Sequence, residues 1–88
     1  MNITFEKRPN PVYPAYFRVG DYSVNLEPDL IQSLKEITSL GENTQFLSLV
    51  ISKIGTNPYL REMIQGNIAK ESNQAALALK MRRTINNL

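Results

Sequence analysis

Cysteine and histidine are both missing from this 88-residue chain. Without cysteine there is no disulfide framework, no thiolate nucleophile, no iron–sulfur ligand and none of the common structural zinc sites. Without histidine the usual general base near neutral pH and the commonest transition-metal ligand are gone as well. No apolar run approaches the roughly 20 residues that a membrane span needs. The segment Met1 to Arg8 is polar and charged with no apolar stretch behind it, unlike a signal peptide. No glycine-rich phosphate loop occurs, and the carboxylates, among them Glu62 and Glu71, lack metal-loop spacing. Together these absences predict a cytoplasmic, non-catalytic chain with no metal, no cofactor and no membrane partner.

What is present suits a folded domain. Hydrophobic residues make up 42% and charged residues 20%, ordinary globular values that are far from the signature of disorder. The length predicts one domain over residues 1–88, with one modest core. The net charge of +2 is unevenly spread. The first half has more acidic than basic side chains, whereas residues 45–88 hold Lys53, Arg61, Lys70, Lys80, Arg82 and Arg83 against only Glu62 and Glu71. Attraction for an anionic partner is therefore expected from the C-terminal part.

The sharpest local signal is the stretch from Ala15 to Leu26. Gly20-Asp21 is a two-residue loop with glycine first, as a type II′ turn requires. A turn there sets Val19 opposite Tyr22, Phe17 opposite Val24 and Ala15 opposite Leu26, with all six apolar side chains on one face. Tyr16, Arg18, Ser23 and Asn25 fall on the other. Ile3 and Phe5 alternate with Thr4 and Glu6 and predict a third strand. Pro9, Pro11 and Pro14 predict an extended, non-helical connection between it and the hairpin.

Helices follow. Pro28 with Asp29 marks a start, and Leu30, Ile31, Leu34 and Ile37 form a stripe that predicts a helix over 28–40, ended by Gly41. A second helix over 44–55, capped by Asn43 or Thr44, has apolar residues on most of its circumference, which suits a central core helix. Asn57-Pro58 predicts a third, short helix to about Gly66, and residues 67–88 have good helical composition. The fold class expected is α+β: a small antiparallel hairpin or three-stranded sheet, within residues 2–26, packed against three to four helices, with a helical segment over 58–88.

Three stretches offer contact surfaces. Leu77, Met81 and Ile85, with Leu88, form a narrow stripe beside Lys80, Arg82 and Arg83. This stripe either packs on the chain's own core or docks against a protein partner or a second copy, and its basic neighbours would suit phosphate. On the polar sheet face, Tyr16 and Arg18 could anchor a protein interface or stack on a base, although such a face is ordinarily just solvated. Arg8, Pro11 and Pro14 have the spacing read by proline-groove modules, a short match that a stiff strand connection also explains.

From Tyr22 to about Ile54 the order of elements resembles the ribbon-helix-helix family of dimeric DNA-binding regulators. Ser23-Val24-Asn25-Leu26 leads through Glu27-Pro28 into a helix spaced Leu30, Leu34, Ile37, and a Gly41 turn precedes a second apolar helix. The resemblance implies that Ser23 and Asn25 read the DNA groove, and that the Asn43/Thr44 cap sits on a phosphate. Two functions are therefore expected: first a non-catalytic protein-interaction factor, such as an accessory subunit, inhibitor or regulator of phage or bacterial type, and as the alternative a DNA-binding transcriptional regulator.

Overall fold

The chain reverses tightly at Gly20-Asp21. Gly20 has φ +58°, and no non-glycine residue among those described takes a positive φ. This combination marks a type II′ turn and rules out type I′, which would need positive φ at Asp21 too. The computed structural model describes residues 3–88. Three strands, β1 (Ile3–Lys7), β2 (Ala15–Val19) and β3 (Tyr22–Leu26), precede four helices, α1 (Pro28–Ile37), α2 (Asn43–Ile54), α3 (Pro58–Ala69) and α4 (Gln74–Asn86). The protein is thus α+β, with an antiparallel sheet in the order β1-β2-β3. The expected start of the sheet at Asn2 lies outside the described residues.

The hairpin register is the expected one: Val19 pairs with Tyr22, Phe17 with Val24 and Ala15 with Leu26. β1 extends the same pattern, with Ile3 opposite Val19 and Phe5 opposite Phe17. Period-2 alternation then places Ile3, Phe5, Ala15, Phe17, Val19 and Leu26 on the inner face, and all six are buried. The rings of Phe5 and Phe17 meet at 4.9 Å between centroids, tilted by 51°, within the range favoured by aromatic quadrupoles.

The β1–β2 connection is bent and closed, not extended. The Asn10 side chain accepts the amide hydrogens of Val12 at 2.9 Å and Tyr13 at 3.1 Å, and the Arg8 N–H donates to the Pro14 carbonyl at 3.0 Å. An asparagine side chain that mimics a turn carbonyl overrides the stiffness of the flanking prolines.

α2 is the central helix, packed against α1, α3 and α4. Its Phe46, Leu47, Val50 and Ile54 are buried. Where it hands over to α3, a Cβ on Gly55 would stand 2.7 Å from the Ile51 carbonyl oxygen and 3.0 Å from the Arg61 Cβ, so this close approach needs glycine.

Three helix limits differ from the sequence pattern. α1 stops at Ile37, three residues short of the expected end: the N–H groups of Thr38 and Leu40 turn back to the Lys35 and Ile37 carbonyls at 3.3 and 3.1 Å, and the carbonyls of Thr38, Leu40 and Gly41 accept from Arg82 of α4. α3 runs through Gly66 to Ala69, bringing Ile68 into line with Leu60 and Ile64 as its third buried residue. A helical glycine costs about 0.5–1 kcal/mol, and burial of an isoleucine side chain, about 1.5–3 kcal/mol, offsets it. The expected 67–88 helix is interrupted at 70–73, where the Asn73 side chain accepts the Ala76 amide hydrogen at 3.0 Å and starts α4 afresh.

Nothing lies within 4 Å of a Cβ built on Gly20, so a side chain there meets only the backbone cost of φ +58°. Gly20→Ala should lower unfolding free energy by about 1–2 kcal/mol without changing the denaturant slope. Urea titration followed by circular dichroism measures both.

Candidate functional site

The C-terminal stripe belongs to the core. Leu77 is 6%, Met81 1% and Ile85 0% exposed, and α4 packs against α2, α1 and β1. These three residues, expected as a partner-docking stripe, are covered by the chain itself and offer nothing to a partner. The cause is the helix arrangement: α4 lies across α2, α1 and β1, and its stripe faces them.

Arg82, also expected at a partner surface, is occupied internally. Its guanidinium donates to the carbonyls of Thr38, Leu40 at 3.5 Å and Gly41 at 3.2 Å, and it lies 4.2 Å from the Phe46 ring centroid. A cation here satisfies the carbonyl of the α1 C-cap, Thr38, and two carbonyls of the loop that follows, and the aromatic face adds attraction. Nearby, the Thr38 hydroxyl donates to the Asn86 side-chain oxygen at 2.9 Å. Lys80 and Arg83 remain exposed on α4. Lys80 lines a niche of about 180 Å³ with Glu71, Asn73, Ala76, Leu77 and Ile3.

The outer sheet face carries two cross-strand rows, Thr4–Arg18–Ser23 and Glu6–Tyr16–Asn25. Tyr16 is half-buried beneath two guanidinium groups, Arg8 at 4.6 Å and Arg18 at 5.7 Å from its ring centroid. The proline-rich segment therefore contributes its arginine to this face. Ser23 and Asn25 are exposed here too. Asn43 and Thr44 are exposed but are not caps: Glu42 is the N-cap of α2, and its N–H donates to the Gln45 side-chain oxygen at 3.1 Å. Glutamate at this position puts a carboxylate where the resemblance implies a phosphate.

A second apolar feature escaped the sequence reading. Tyr22 at the start of β3 is 40% exposed and Tyr59 in the first turn of α3 is 66% exposed, with their rings edge to face at 6.3 Å. The signal was available for Tyr59, since the buried stripe Leu60, Ile64, Ile68 leaves it out of phase. For Tyr22 it was not, because its row partners Val19 and Ile3 are both buried.

These tyrosines lie at the open side of the sheet. β2 is the middle strand and α4 packs along β1, while among the described residues only β2 packs closely along β3. In a two-residue hairpin the flanking pair Val19–Tyr22 exchanges hydrogen bonds, so Phe17–Val24 and Ala15–Leu26 do as well. The backbone groups of Ser23 and Asn25 consequently point outward, away from β2. An open groove of about 620 Å³ along α2, lined by Gly41, Thr44, Gln45, Ser48, Leu49 and Ser52, has no charged side chain.

Among the described residues no group of three His, Cys, Asp or Glu side chains is placed to hold a metal ion, and no helix is long and apolar enough to cross a membrane. Comparison of the chain with protein-family models, curated proteins and solved structures finds no match.

Two outcomes follow for α4. Met81→Glu buries a charge with no partner and should abolish the cooperative unfolding transition seen by circular dichroism. Arg82→Ala should cost about 1.5–3 kcal/mol, as for hydrogen bonds to a charged donor, and Arg82→Lys should recover less than half of that, because a compact ammonium lacks the planar two-nitrogen fork and its packing on the Phe46 ring. Chemical denaturation distinguishes the two variants.

Proposed function

We propose that this chain is a non-catalytic protein-interaction factor that engages its partner along β3, between the Tyr22/Tyr59 pair and the outward-facing backbone of Ser23 and Asn25. The exposed aromatic pair beside an unpaired strand edge carries the reading. Among the described residues no element other than β2 packs closely along this edge, and tyrosine is enriched among residues that anchor interfaces. A strand edge supplies backbone donors and acceptors in a fixed array, and the aromatic rim supplies buried area. Catalysis would need a nucleophile or base held beside a substrate pocket. The grooves of this chain hold hydroxyls, amides and isolated charges instead.

DNA-binding regulation is the second reading, favoured by the exposure of Ser23 and Asn25 and by the β3-α1-α2 order. Against it stand Asp21, Glu27 and Asp29 around that strand, all exposed, where duplex DNA calls for positive charge. A cytoplasmic setting suits either reading.

Affinity capture from the host cell, with wild-type protein and with a Tyr59→Ser variant of equal thermal stability, separates the two. The proposal expects a protein whose capture survives nuclease and drops at least tenfold with Tyr59→Ser, as loss of an interface anchor should produce. Capture of duplex DNA that weakens steeply with salt, or protein capture indifferent to Tyr59, would overturn it.

A further inference from the structure

Resting on the proposed role of β3 as the contact edge, we infer that the partner is an extended segment with basic flanks that adds as a fourth strand beside β3. The occupant follows from charge. Asp21 stands at one end of β3, and Glu27 and Asp29 stand just past the other, all exposed. From Val19 to Leu34 the chain contains no lysine or arginine; Arg18, opposite Ser23 on the middle strand, is the exposed cation on this face and lies between the acidic ends. Glu62 lies one helical turn from Tyr59 on α3 and is also exposed. A strand laid along this edge therefore meets carboxylates at both ends and apolar surface between them, formed by Tyr22, Tyr59 and the half-buried Val24.

The same charges disfavour a second copy of the chain. In an antiparallel β3–β3 pairing centred on Val24, Ser23 faces Asn25 of the other copy and their outward backbone groups can bond. Asp21 then faces Glu27 of the other copy, twice over, and like charges directly opposite destabilise a ladder. A partner with lysine or arginine at these positions turns both repulsions into attractions. Main-chain bonds to Ser23 and Asn25 supply affinity, alternate apolar side chains reach the Tyr22–Val24–Tyr59 rim, and the basic ends set register and choice.

The test uses the full chain and two synthetic peptides of alternating valine and threonine, one with a lysine pair at each end and one with a glutamate pair at each end. Binding is read by fluorescence anisotropy, and by amide exchange of the Ser23 and Asn25 N–H groups. The lysine-ended peptide should bind at least tenfold more tightly than the glutamate-ended one and slow exchange at Ser23 and Asn25. Paired Asp21→Lys and Glu27→Lys substitutions should reverse that preference. Asn25→Pro removes an outward N–H together with the exposed side-chain amide, at an edge position where proline is tolerated, and should abolish binding. Should that variant unfold, the charge-reversed protein still decides the matter.

Equal binding of both peptides, or binding that leaves Ser23 and Asn25 exchange unchanged, overturns the inference. So does concentration-dependent dimerisation in sedimentation that Asn25→Pro removes, which would identify a second copy as the occupant. Failure of every peptide, with protein capture still dependent on Tyr59, also overturns it while leaving the broader interaction role standing. Failure of peptide binding and of Tyr59-dependent capture together removes both.

Discussion

Phe17 sits at the centre of the middle strand with no contact to solvent, and the rest of the molecule is arranged to keep it so. Its ring can be covered only if the strands on either side bring apolar residues to the same face. That requires Gly20 to turn the chain without shifting the pairing by one residue. A slip would move Phe17 to the solvent face and Arg18 inward, since side chains alternate with a period of two. With the register held, Phe5, Phe17 and Val24 form one row, and the helices close over it. One continuous cluster then draws residues from the three strands and all four helices.

Covering that row takes more than α1 and α2. Met81 and Ile85 are as deeply buried as Phe46 and Val50, so the last helix is part of the core and not an appendage to it. Arg82 makes the attachment directional. A greasy stripe alone would let α4 slide along its neighbours, whereas a guanidinium bonded to three carbonyls of the α1–α2 loop admits one position. The same bonds tie the end of α1 and the loop after it to a residue more than forty positions later, a coupling that tertiary structure alone can make.

With α4 used inside, the surface left for function moves to the sheet. The two outer strands differ in their surroundings: β1 lies against α4, and β3 has no comparable neighbour among the described residues. An unprotected edge is ordinarily hazardous because it recruits other strands. The carboxylates around β3 offer a physical answer, because they repel a copy of the same edge while leaving it open to a strand of opposite charge. Selective attraction and protection from self-association would then come from the same side chains.

The strands were legible locally. Gly20-Asp21 with the alternation on both sides carries the turn type, the pairing and the inward face within twelve residues, because backbone sterics and a period of two act at short range. Pro28 and Asn57-Pro58 marked helix starts for the same reason. The bent Arg8–Pro14 loop was missed because the Asn10 side chain, not the prolines, organises it. Helix ends were misplaced where short-range turns or distant packing override the stripe: the Thr38 and Leu40 turn-back bonds at the end of α1, and Ile68 burial carrying α3 past Gly66. Whether Leu77, Met81 and Ile85 form core or contact surface could not be read from their spacing, since a stripe at helical period looks the same facing its own chain or another. The sequence by itself determined which residues are apolar on each face and where the chain must turn. The tertiary structure decided which faces are used up internally and which edge is left open, because that depends on how much apolar surface the first three helices leave uncovered.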